Sequence, residues 1–312
     1  MGWTERDIPD LHGRTAVVTG ANGGLGLETA RALAIHGANV VMAVRDTGRG
    51  DVAAEHIRGI APEASLAIVE LDLASLSSVR RAAADIALAH PTIDILVANG
   101  GVMAIPFARS ADGFELQLAV NHLGHFALIG LLLPTLLRSP RGRVVSVTST
   151  GRYLGRPLDP VDLDLQPYDP WAAYGRAKLA AVQLTIELDR RFRAAGVRAR
   201  AMVADPGFAR TDLQANAARQ QPGRSQRFFD AAVRRFGSTP AQGALPQLRA
   251  ATDPRARGGS LYAPRLLVRG SPTRMPLLTR FVGASDRRVL WATSERLTEV
   301  RIDVEAALRD GS

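Results

Sequence analysis

Residues 15–26, TAVVTGANGGLG, decide the fold of this 312-residue chain. A short apolar run leads into a glycine-rich turn, and residues 25–35 then place their apolar side chains at helical spacing. Glycines allow a tight turn and a close approach of the backbone, and the N-terminus of a helix offers free N–H groups to a pyrophosphate. A strand, a glycine turn and a helix in this order therefore predict a dinucleotide site at residues 19–26.

The alternation of strand and helix continues along the chain. Apolar runs rich in β-branched residues occur at 15–18, 40–44, 66–69, 93–97, 144–147 and 197–203. Segments with helical spacing, such as 79–88, separate them. Buried strands that alternate with helices form a parallel sheet covered on both faces. We therefore expect an α/β fold with a doubly wound parallel sheet, of the Rossmann type, as a single domain over residues 1–312.

The segment after the sixth strand departs from this alternation. Residues 214–237 are polar and rich in arginine, and within them RFFDAAVRRF places Phe228, Phe229 and Phe236 at helical spacing. We expect a helical flap on the substrate side at about residues 208–240, and a plain surface helix is the alternative. The tail from residue 261 mixes Pro and Arg, and a helix is expected around residues 289–297.

Composition narrows the function classes. With 46% hydrophobic residues the chain can bury a large core, and the absence of cysteine excludes disulfides, thiolate metal sites and a thiol nucleophile. No metal site is expected. The first residues lack the apolar core of a secretory signal, and the longest apolar run, residues 126–137, is too short to span a bilayer and contains Pro134. We expect a cytoplasmic protein with no integral membrane segment.

The net charge of +9 comes from arginines that crowd the later part of the chain. One interpretation is a surface for nucleic acid or anionic lipid, and the other is a compositional preference for arginine on an ordinary solvated face. We favour the second, because the basic residues are not interleaved with stacking aromatic residues over any long stretch. No nucleic-acid partner is expected.

The end of the second strand indicates which nicotinamide cofactor binds. An acid there would accept hydrogen bonds from the adenosine ribose and repel a 2′-phosphate, but this strand ends in Val44 and Arg45. A planar guanidinium suits a phosphate, so we expect NADP(H) to be preferred, with NAD(H) still open, unless Arg45 only pairs with Asp46. Asp72 follows the third strand. It is expected either to accept from the adenine amine or to cap the next helix through the turn at Ser75.

Tyr174 and Lys178, the only lysine among 39 basic residues, lie one helical turn apart. A free tyrosine has a pKa near ~10, which is too high for proton transfer at neutral pH. A lysine ammonium ~4 Å from the phenolate, at an effective dielectric of ~20, offers about the 4 kcal/mol that would lower this pKa to about 7. Arginine is bulkier and does not give up a proton. We expect a tyrosine of lowered pKa that acts as acid or base, and a lysine retained by chance is the alternative.

Further polar residues lie at the predicted ligand-binding edge. Ser149 ends the run at 144–147, on the side of the sheet where ligands bind in such folds. Asn121 lies in an apolar helical stretch, either as a satisfied core residue or as a link in a water chain. His122 and His125 are expected to be packing or surface residues. A polar segment follows the sixth strand and contains Asp205, Pro206, Gly207 and Thr211.

Jointly and in this order, these motifs resemble the short-chain dehydrogenase/reductase family over nearly the whole chain. The family's TGxxxGxG loop matches residues 19–26, and its YxxxK pair matches Tyr174 and Lys178. Its strand-end serine matches Ser149, and its helix asparagine matches Asn121. The runs ELDLASLSSVR and NHLGHF, and the gap of 25 residues between Ser149 and Tyr174, resemble the retinol-dehydrogenase-like branch, which includes relatives similar to protochlorophyllide reductase.

The resemblance implies a role for each catalytic residue. Tyr174 would be the general acid when a carbonyl is reduced and the general base when an alcohol is oxidised. Lys178 would lower the pKa of this tyrosine and bind the nicotinamide ribose. Ser149 would hydrogen-bond the substrate oxygen, and Asn121 would hold a water that links the lysine to solvent. The resemblance also implies a cofactor site formed by Gly20, Asn22, Gly23, Leu25, Gly26, Arg45, Asp72, Leu73, Asn99, Tyr174, Lys178, Pro206, Gly207 and Thr211.

Three positions depart from the family pattern. Residues 98–101, ANGG, replace the usual NNAG, and Asp205 precedes the Pro-Gly turn where this branch more often has histidine or asparagine. Ala181 replaces an asparagine that commonly follows the lysine. None of these changes removes a catalytic group, but together they weaken any transfer of substrate identity.

We therefore expect an oxidoreductase that prefers NADP(H) and acts on a hydrophobic small-molecule carbonyl or alcohol. A reductase of an activated C=C bond could use the same residues. A non-catalytic nucleotide-sensing module is a further alternative, although a pure binder has no need of Ser149. A homodimer or homotetramer is compatible with the sequence, because the helix at 114–133 and the tyrosine-bearing helix resemble those that pair subunits in this family.

Overall fold

The structure is a computed structural model and describes residues 2–209, 237–277 and 282–311. Most of the flap predicted at about 208–240 lies outside the described residues, including Phe228, Phe229 and Phe236. Thr211, a predicted cofactor residue, also lies outside them.

Eight strands form one sheet, in the order β3-β2-β1-β4-β5-β6-β7-β8. The strands are β1 Thr15–Thr19, β2 Asn39–Val44, β3 Leu66–Glu70, β4 Ile95–Ala98, β5 Arg143–Val147, β6 Arg200–Ala204, β7 Leu261–Pro264 and β8 Pro272–Met275. All neighbours pair in parallel except β7 and β8, which are antiparallel. The order reverses at β1, so the predicted doubly wound parallel sheet is confirmed.

The six predicted strands are β1 to β6, with shifted ends in β4 and β6. β7 and β8 are not among the predicted strands. Each has four residues, and both contain proline, at Pro264 and Pro272, so neither shows a strand pattern of its own. They join the sheet because β7 pairs with β6 and β8 then pairs with β7.

Helices cover both faces of the sheet. They are α1 Gly24–Ile35, α2 Thr47–Ile60, α3 Leu76–Ala89, α4 Leu116–Leu118, α5 Gly124–Leu131, α6 Leu133–Arg138, α7 Pro170–Ala194, α8 Pro240–Thr252, α9 Ala284–Thr298 and α10 Val304–Gly311. Successive strand residues point to opposite faces. Val17 accordingly packs in one buried cluster with α3, α5 and α6, whereas Ala16 and Val18 pack in another with α1, α2 and α8.

Two helical segments determine where the site residues lie. The long apolar helix expected near residues 114–133 is interrupted by a π-helical turn at Ala119–Leu123, which contains Asn121. α7 begins after Asp169, whose carboxylate caps Ala172 N at 2.6 Å, and Pro170 occupies its first turn. Since α7 runs uninterrupted from there, Tyr174 and Lys178 lie one turn apart on it, as predicted.

The predicted helix near the C-terminus is α9, and it packs on α5 and α7. Trp291 makes an edge-to-face contact with Phe126 at 5.5 Å between ring centroids, and the guanidinium of Arg191 lies 3.9 Å above the indole. Arg287 forms an ion pair with Glu187 at 3.5 Å. α9 therefore covers part of the two helices that the family resemblance assigns to subunit pairing. Within the described ranges, no helix combines the length and the apolar character needed to cross a membrane.

Candidate active site

A cavity of about 1520 Å³ opens at the carboxyl ends of the parallel strands. Most of the predicted site residues line it, namely Gly20, Asn22, Gly23, Leu25, Arg45, Asp72, Leu73, Asn99, Ser149, Tyr174, Lys178, Pro206 and Gly207. Gly26 and Asn121 are not part of its lining. The structure thus brings the glycine loop and the catalytic candidates to one place.

The glycine loop is shaped by contacts that exclude side chains. Gly20 has a φ of 66°, and a Cβ there would lie 2.9 Å from the Cα of Gly100. A Cβ on Gly26 would overlap the carbonyl oxygen of Gly20, so Gly26 lets α1 pack directly against the loop. No described side chain caps the first turn of α1, which starts after Gly23. Its N–H groups remain available to an anion at the cavity.

Asn99 lines the cavity, but its side chain is used to join two strands. Its amide donates to the carbonyl oxygen of Thr19 at 3.0 Å. The backbone N–H groups of Asn99 and Gly100 both donate to the hydroxyl of Thr19, at 2.9 Å. That hydroxyl also contacts His125 Nε2 at 2.9 Å. Thr19 thus fixes the loop after β4 against the glycine loop, a role that its sequence motif did not predict.

Asn121 clamps the backbone of the loop that follows β4. Its Oδ1 accepts from Val102 N at 3.0 Å, and its Nδ2 donates to Val102 O at 2.9 Å. A Cβ on Gly101 would lie 2.5 Å from the same Oδ1, so the loop approaches closely because residue 101 is glycine. Of the two predicted roles, the satisfied core residue describes this side chain, and the link to a water chain stays a prediction.

Ser149 and Tyr174 lie side by side at the end of β5. Gly151 N donates to the hydroxyl of Ser149 at 3.1 Å, and the proximity of Ser149 lowers the pKa of Tyr174. A Cβ on Gly151 would lie 2.8 Å from the Tyr174 ring, which explains the glycine after Ser149 and Thr150. Two hydroxyls therefore face the cavity side by side.

Lys178 is buried directly behind this pair, with 5% of its surface exposed. Its Nζ donates to Val147 O at 3.1 Å and lies 5.8 Å from the centroid of the Tyr174 ring. The hydroxyl of Thr148 donates to the Lys178 carbonyl at 2.8 Å and ties α7 to β5. Burial lowers the pKa of Lys178 to about 8, while the nearby Asp205 carboxylate raises it.

The predicted lowering of the Tyr174 pKa is wrong when only the groups of the protein act on the tyrosine. Burial, and to a smaller extent the Asp205 charge, raise the pKa of Tyr174 to about 12, although the neighbouring Ser149 lowers it. The attraction of the lysine is outweighed by the cost of removing a phenolate from water. Tyr174 is therefore held as a neutral phenol at neutral pH.

Two exposed arginines lie near the predicted adenosine subsite, Arg45 directly after β2 and Arg49 in the first turn of α2. Arg45 and Arg49 both line the cavity. Asp46 accepts from Arg49 N at 3.0 Å and caps α2, and it forms no ion pair with Arg45 in the described chain. The alternative in which Arg45 only pairs with Asp46 is thus wrong. Asp72 lines the cavity and accepts from Ala74 N at 2.9 Å, a local turn contact.

A family model described as short chain dehydrogenase matches residues 14–222. The chain belongs to the short-chain dehydrogenase family. It is 43% identical to human retinol dehydrogenase 13 over 204 residues, which cover 65% of this chain and 61% of that protein, less than two thirds of its length. It is 36% identical to mouse retinol dehydrogenase 14 over 298 residues, or 91% of this chain and 86% of that protein. The expected likeness to the retinol-dehydrogenase-like branch is therefore confirmed.

Among solved structures, this short-chain dehydrogenase is similar to a crystal structure of an uncharacterised protein from Mycobacterium paratuberculosis. The TM-score is 0.79 and the sequence identity is 39%, over 97% of this chain and 100% of that chain. This match includes the tail after residue 222, beyond the reach of the family model.

Part of the cavity lining in this short-chain dehydrogenase is apolar, and its residues were not predicted from the sequence. This part is called the apolar end of the cavity. It is lined by Met103, Ile105, Phe107, Tyr153, Leu154 and Trp171. Trp171 and Tyr174 make an edge-to-face contact at 6.1 Å between ring centroids. Only Trp171, three residues before Tyr174, had a sequence signal: it lies on the same helix face. The others come from loops that no periodicity predicts.

His122 and His125 are packing residues, as expected. His122 Nε2 bonds the hydroxyl of Ser294 at 2.7 Å and connects the π-helical turn to α9. Burial lowers the pKa of each imidazole to about 3, so both are neutral at neutral pH. Among the residues described, no group of three His, Cys, Asp or Glu side chains could hold a metal ion.

Proposed function

We propose that this chain is an oxidoreductase that prefers NADP(H) and interconverts a carbonyl and an alcohol on a hydrophobic small molecule. One observation carries the proposal: Tyr174, Ser149 and Lys178 share a single cavity with the glycine loop. A phenol that can transfer a proton, beside a hydroxyl that can bind the same oxygen, is what carbonyl reduction needs next to a dinucleotide.

The residues of the cavity fit a nicotinamide dinucleotide. Gly20, Gly23 and the uncapped first turn of α1 would hold the pyrophosphate, since this backbone presents N–H groups with no side chain in the way. Asn22 and Leu25 belong to that loop, and Asp72, Leu73 and Asn99 line the same cavity. When bound, the cofactor supplies the hydride donor or acceptor and, when oxidised, a positively charged ring.

Arg45 and Arg49 support a preference for NADP(H). Both are exposed, both line the cavity, and neither forms an ion pair within the described residues. A guanidinium directly after β2 and a second one in the first turn of α2 suit a 2′-phosphate, while Val44 occupies the position where a carboxylate would repel one. Replacing either arginine by alanine should weaken NADPH binding about 10-fold or more and NADH binding much less.

Binding of both cofactors, measured by fluorescence titration, tests this preference. Arg58→Ala is the matched control, because Arg58 is a partly exposed arginine of α2 that pairs with Glu55 at 2.6 Å and does not line the cavity. Equal losses for NADPH and NADH in Arg45→Ala and Arg49→Ala would show that the phosphate assignment is wrong.

The protein groups are arranged for proton transfer to a substrate oxygen. Tyr174 is a neutral phenol and would donate its proton as negative charge develops on that oxygen, while the hydroxyl of Ser149 would bond the same atom. The ammonium of Lys178, 5.8 Å from the ring, would stabilise the phenolate that remains. Since the pKa of Lys178 is about 8, this ammonium is present at neutral pH.

The apolar end of the cavity supports a hydrophobic substrate. Met103, Ile105 and Leu154 offer aliphatic surface, and Phe107 and Trp171 offer two aromatic faces. Burying this surface against an apolar substrate contributes about 25 cal/mol for each Å² removed from water. Tyr174 lines the same cavity and contacts Trp171, so the substrate oxygen would meet the tyrosine while the apolar body extends past Trp171.

Two alternatives use the same residues. Reduction of an activated C=C bond also needs hydride and a proton donor, and a nucleotide-sensing module needs the glycine loop alone. Purified protein with NADPH and, separately, NADH should be screened against ketones, aldehydes, quinones and enones, with identification of the products. Alcohol products support the proposal, saturated ketones support the first alternative, and cofactor binding without turnover supports the second.

The homo-oligomer and the cytoplasmic location stay predictions. α9 covers part of α5 and α7 through Trp291 and Arg287, so pairing through those helices would leave less of their surface for a second subunit. Light scattering during size-exclusion chromatography measures the assembly directly. A mass of about twice or four times the 33.3 kDa of the chain would support the predicted homodimer or homotetramer.

A further inference from the structure

A buried ion pair lies against the catalytic serine, and neither partner belongs to the family motifs. Arg152 is in the 3₁₀ turn Thr150–Leu154 that follows β5, and Asp205 directly follows β6. They are 5% and 2% exposed, and a guanidinium nitrogen of Arg152 contacts a carboxylate oxygen of Asp205. The pair joins residues 53 positions apart in the chain. A buried pair of this kind persists only if further hydrogen bonds satisfy both groups.

Those further hydrogen bonds go to the backbone of the site. Arg152 Nη1 also donates to the carbonyl oxygen of Ser149 at 2.8 Å. The second oxygen of Asp205 accepts from Gly207 N at 3.0 Å. The pair therefore links the backbone of the catalytic serine to the turn at Pro206 and Gly207, both of which line the cavity.

Arg152 has a third contact, at the mouth of the cavity. Its Nη2 donates to the Tyr153 hydroxyl at 2.9 Å, and the guanidinium lies 4.4 Å from the centroid of that ring. Tyr153 lines the cavity and is half exposed. One arginine thus fixes the serine backbone, the Pro-Gly turn and an aromatic residue of the entrance.

The pair also contributes charge close to the reacting groups. The carboxylate of Asp205 raises the pKa of both Tyr174 and Lys178. The titratable groups nearest the tyrosine are Lys178 on α7 and Asp205 after β6. Arg152 and Tyr153 follow Gly151, which packs against the tyrosine ring, on the 3₁₀ turn, and His125 on α5 interacts with Lys178. His125 is neutral because burial lowers its pKa to about 3. The charged side chains of this region are thus Lys178, Asp205 and Arg152.

We propose that Arg152 and Asp205 are a positioning pair for the reaction, which holds Ser149 against the Pro206-Gly207 turn and sets the charge balance felt by Tyr174. The proposal deepens the proposed function and rests on it, because the pair acts through the serine and the tyrosine. It also gives the departure at residue 205 a reason: an acid there is matched by the arginine at residue 152.

The two single variants should move the titration of Tyr174 in opposite directions. Asp205→Asn removes the negative charge and leaves the guanidinium, so the pKa of the tyrosine should fall by about one unit. Arg152→Gln leaves the carboxylate alone, so that pKa should rise. The double variant carries neither charge and keeps side chains that can hydrogen-bond, so its titration should lie between those of the single variants.

Two readouts follow the titration of Tyr174. One is the pH dependence of alcohol oxidation with NADP⁺, whose midpoint reports deprotonation of the tyrosine. The other needs no turnover: NMR of protein labelled at the tyrosine Cζ with ¹³C, in which Tyr174→Phe assigns one of the four tyrosine signals. Asp253→Asn is the control, because Asp253 is also a buried carboxylate paired with an arginine, Arg249 at 3.1 Å, but it does not line the cavity.

Opposite shifts in the two single variants, with no shift in Asp253→Asn, are the expected result. Shifts in the same direction, or none, in folded variants would overturn the proposal, because a purely structural pair would lower stability and activity without this sign reversal. If one single variant does not fold, the other decides the proposal by the sign of its shift, because Asp205→Asn must lower the pKa of Tyr174 and Arg152→Gln must raise it. If the wild type shows no turnover dependent on Tyr174, the proposed function fails, and the NMR titration still tests the pair.

Discussion

Replacing Asn121 by alanine would test whether its side chain holds the backbone behind Tyr174. The change removes two hydrogen bonds, to Val102 N at 3.0 Å and to Val102 O at 2.9 Å. A buried backbone group left without a partner costs about 1–3 kcal/mol, and less where water can reach it. Val102 is only partly buried, so the lower part of this range applies to each group. We expect the free energy of unfolding to fall by about 2–3 kcal/mol.

Urea unfolding followed by circular dichroism measures this loss. Asn39→Ala is the matched control, because the Asn39 side chain forms no hydrogen bond within the described part of the chain, and it should cost no more than about 0.5 kcal/mol. Turnover should fall as well, since the released segment carries Met103, which packs against Tyr174. If Asn121→Ala unfolds within about 0.5 kcal/mol of wild type, the clamp contributes little and the reasoning is refuted.

Three further predictions concern other parts of the molecule. Gly26→Ala should abolish dinucleotide binding or folding, because its Cβ would overlap Gly20 O. Gly59→Ala, in open space on α2, should instead stabilise the chain by about 0.5–1 kcal/mol. Thermal melting and cofactor titration check both variants, and a tolerated Gly26→Ala would contradict the packing. His122 has a folded pKa of about 3, below its unfolded value, so its contribution to stability is full above pH ~6.5 and is lost as the pH falls towards 3. His122→Gln should weaken this acid-induced loss in urea titrations at several pH values, and an unchanged pH dependence would contradict it. The rate of carbonyl reduction should fall as the pH rises through about 8, where Lys178 loses its proton, and a flat profile to pH ~10 would count against its role.

Much of the fold could be predicted because its signals are local. The six apolar runs that became β1 to β6, the glycine turn at residues 19–26 and the spacing of Tyr174 and Lys178 all depend on neighbours within a few residues. β7 and β8 could not be predicted in this way. They are short, contain proline and exist through pairing with β6, which is a long-range property.

The sequence predicted most of the residues of the site but not the contacts between them. The motifs correctly predicted that Ser149, Tyr174 and Lys178 lie at one cavity, because the carboxyl ends of parallel strands meet at one edge of the sheet. The pairing of Arg152 with Asp205 had no local signal, since the two residues lie 53 positions apart and neither belongs to a periodic pattern. The direction of the Tyr174 pKa was also missed, because desolvation depends on burial, which spacing alone does not show.

Tyr174→Phe, assayed side by side for NADPH binding and for reduction of whichever carbonyl the substrate screen identifies, tests the proton-transfer role most directly. We predict that turnover falls at least ~100-fold while the dissociation constant for NADPH stays within about twofold of wild type, because the phenol is lost and the glycine loop is untouched. Turnover equal to that of the wild type would contradict the role given to this residue.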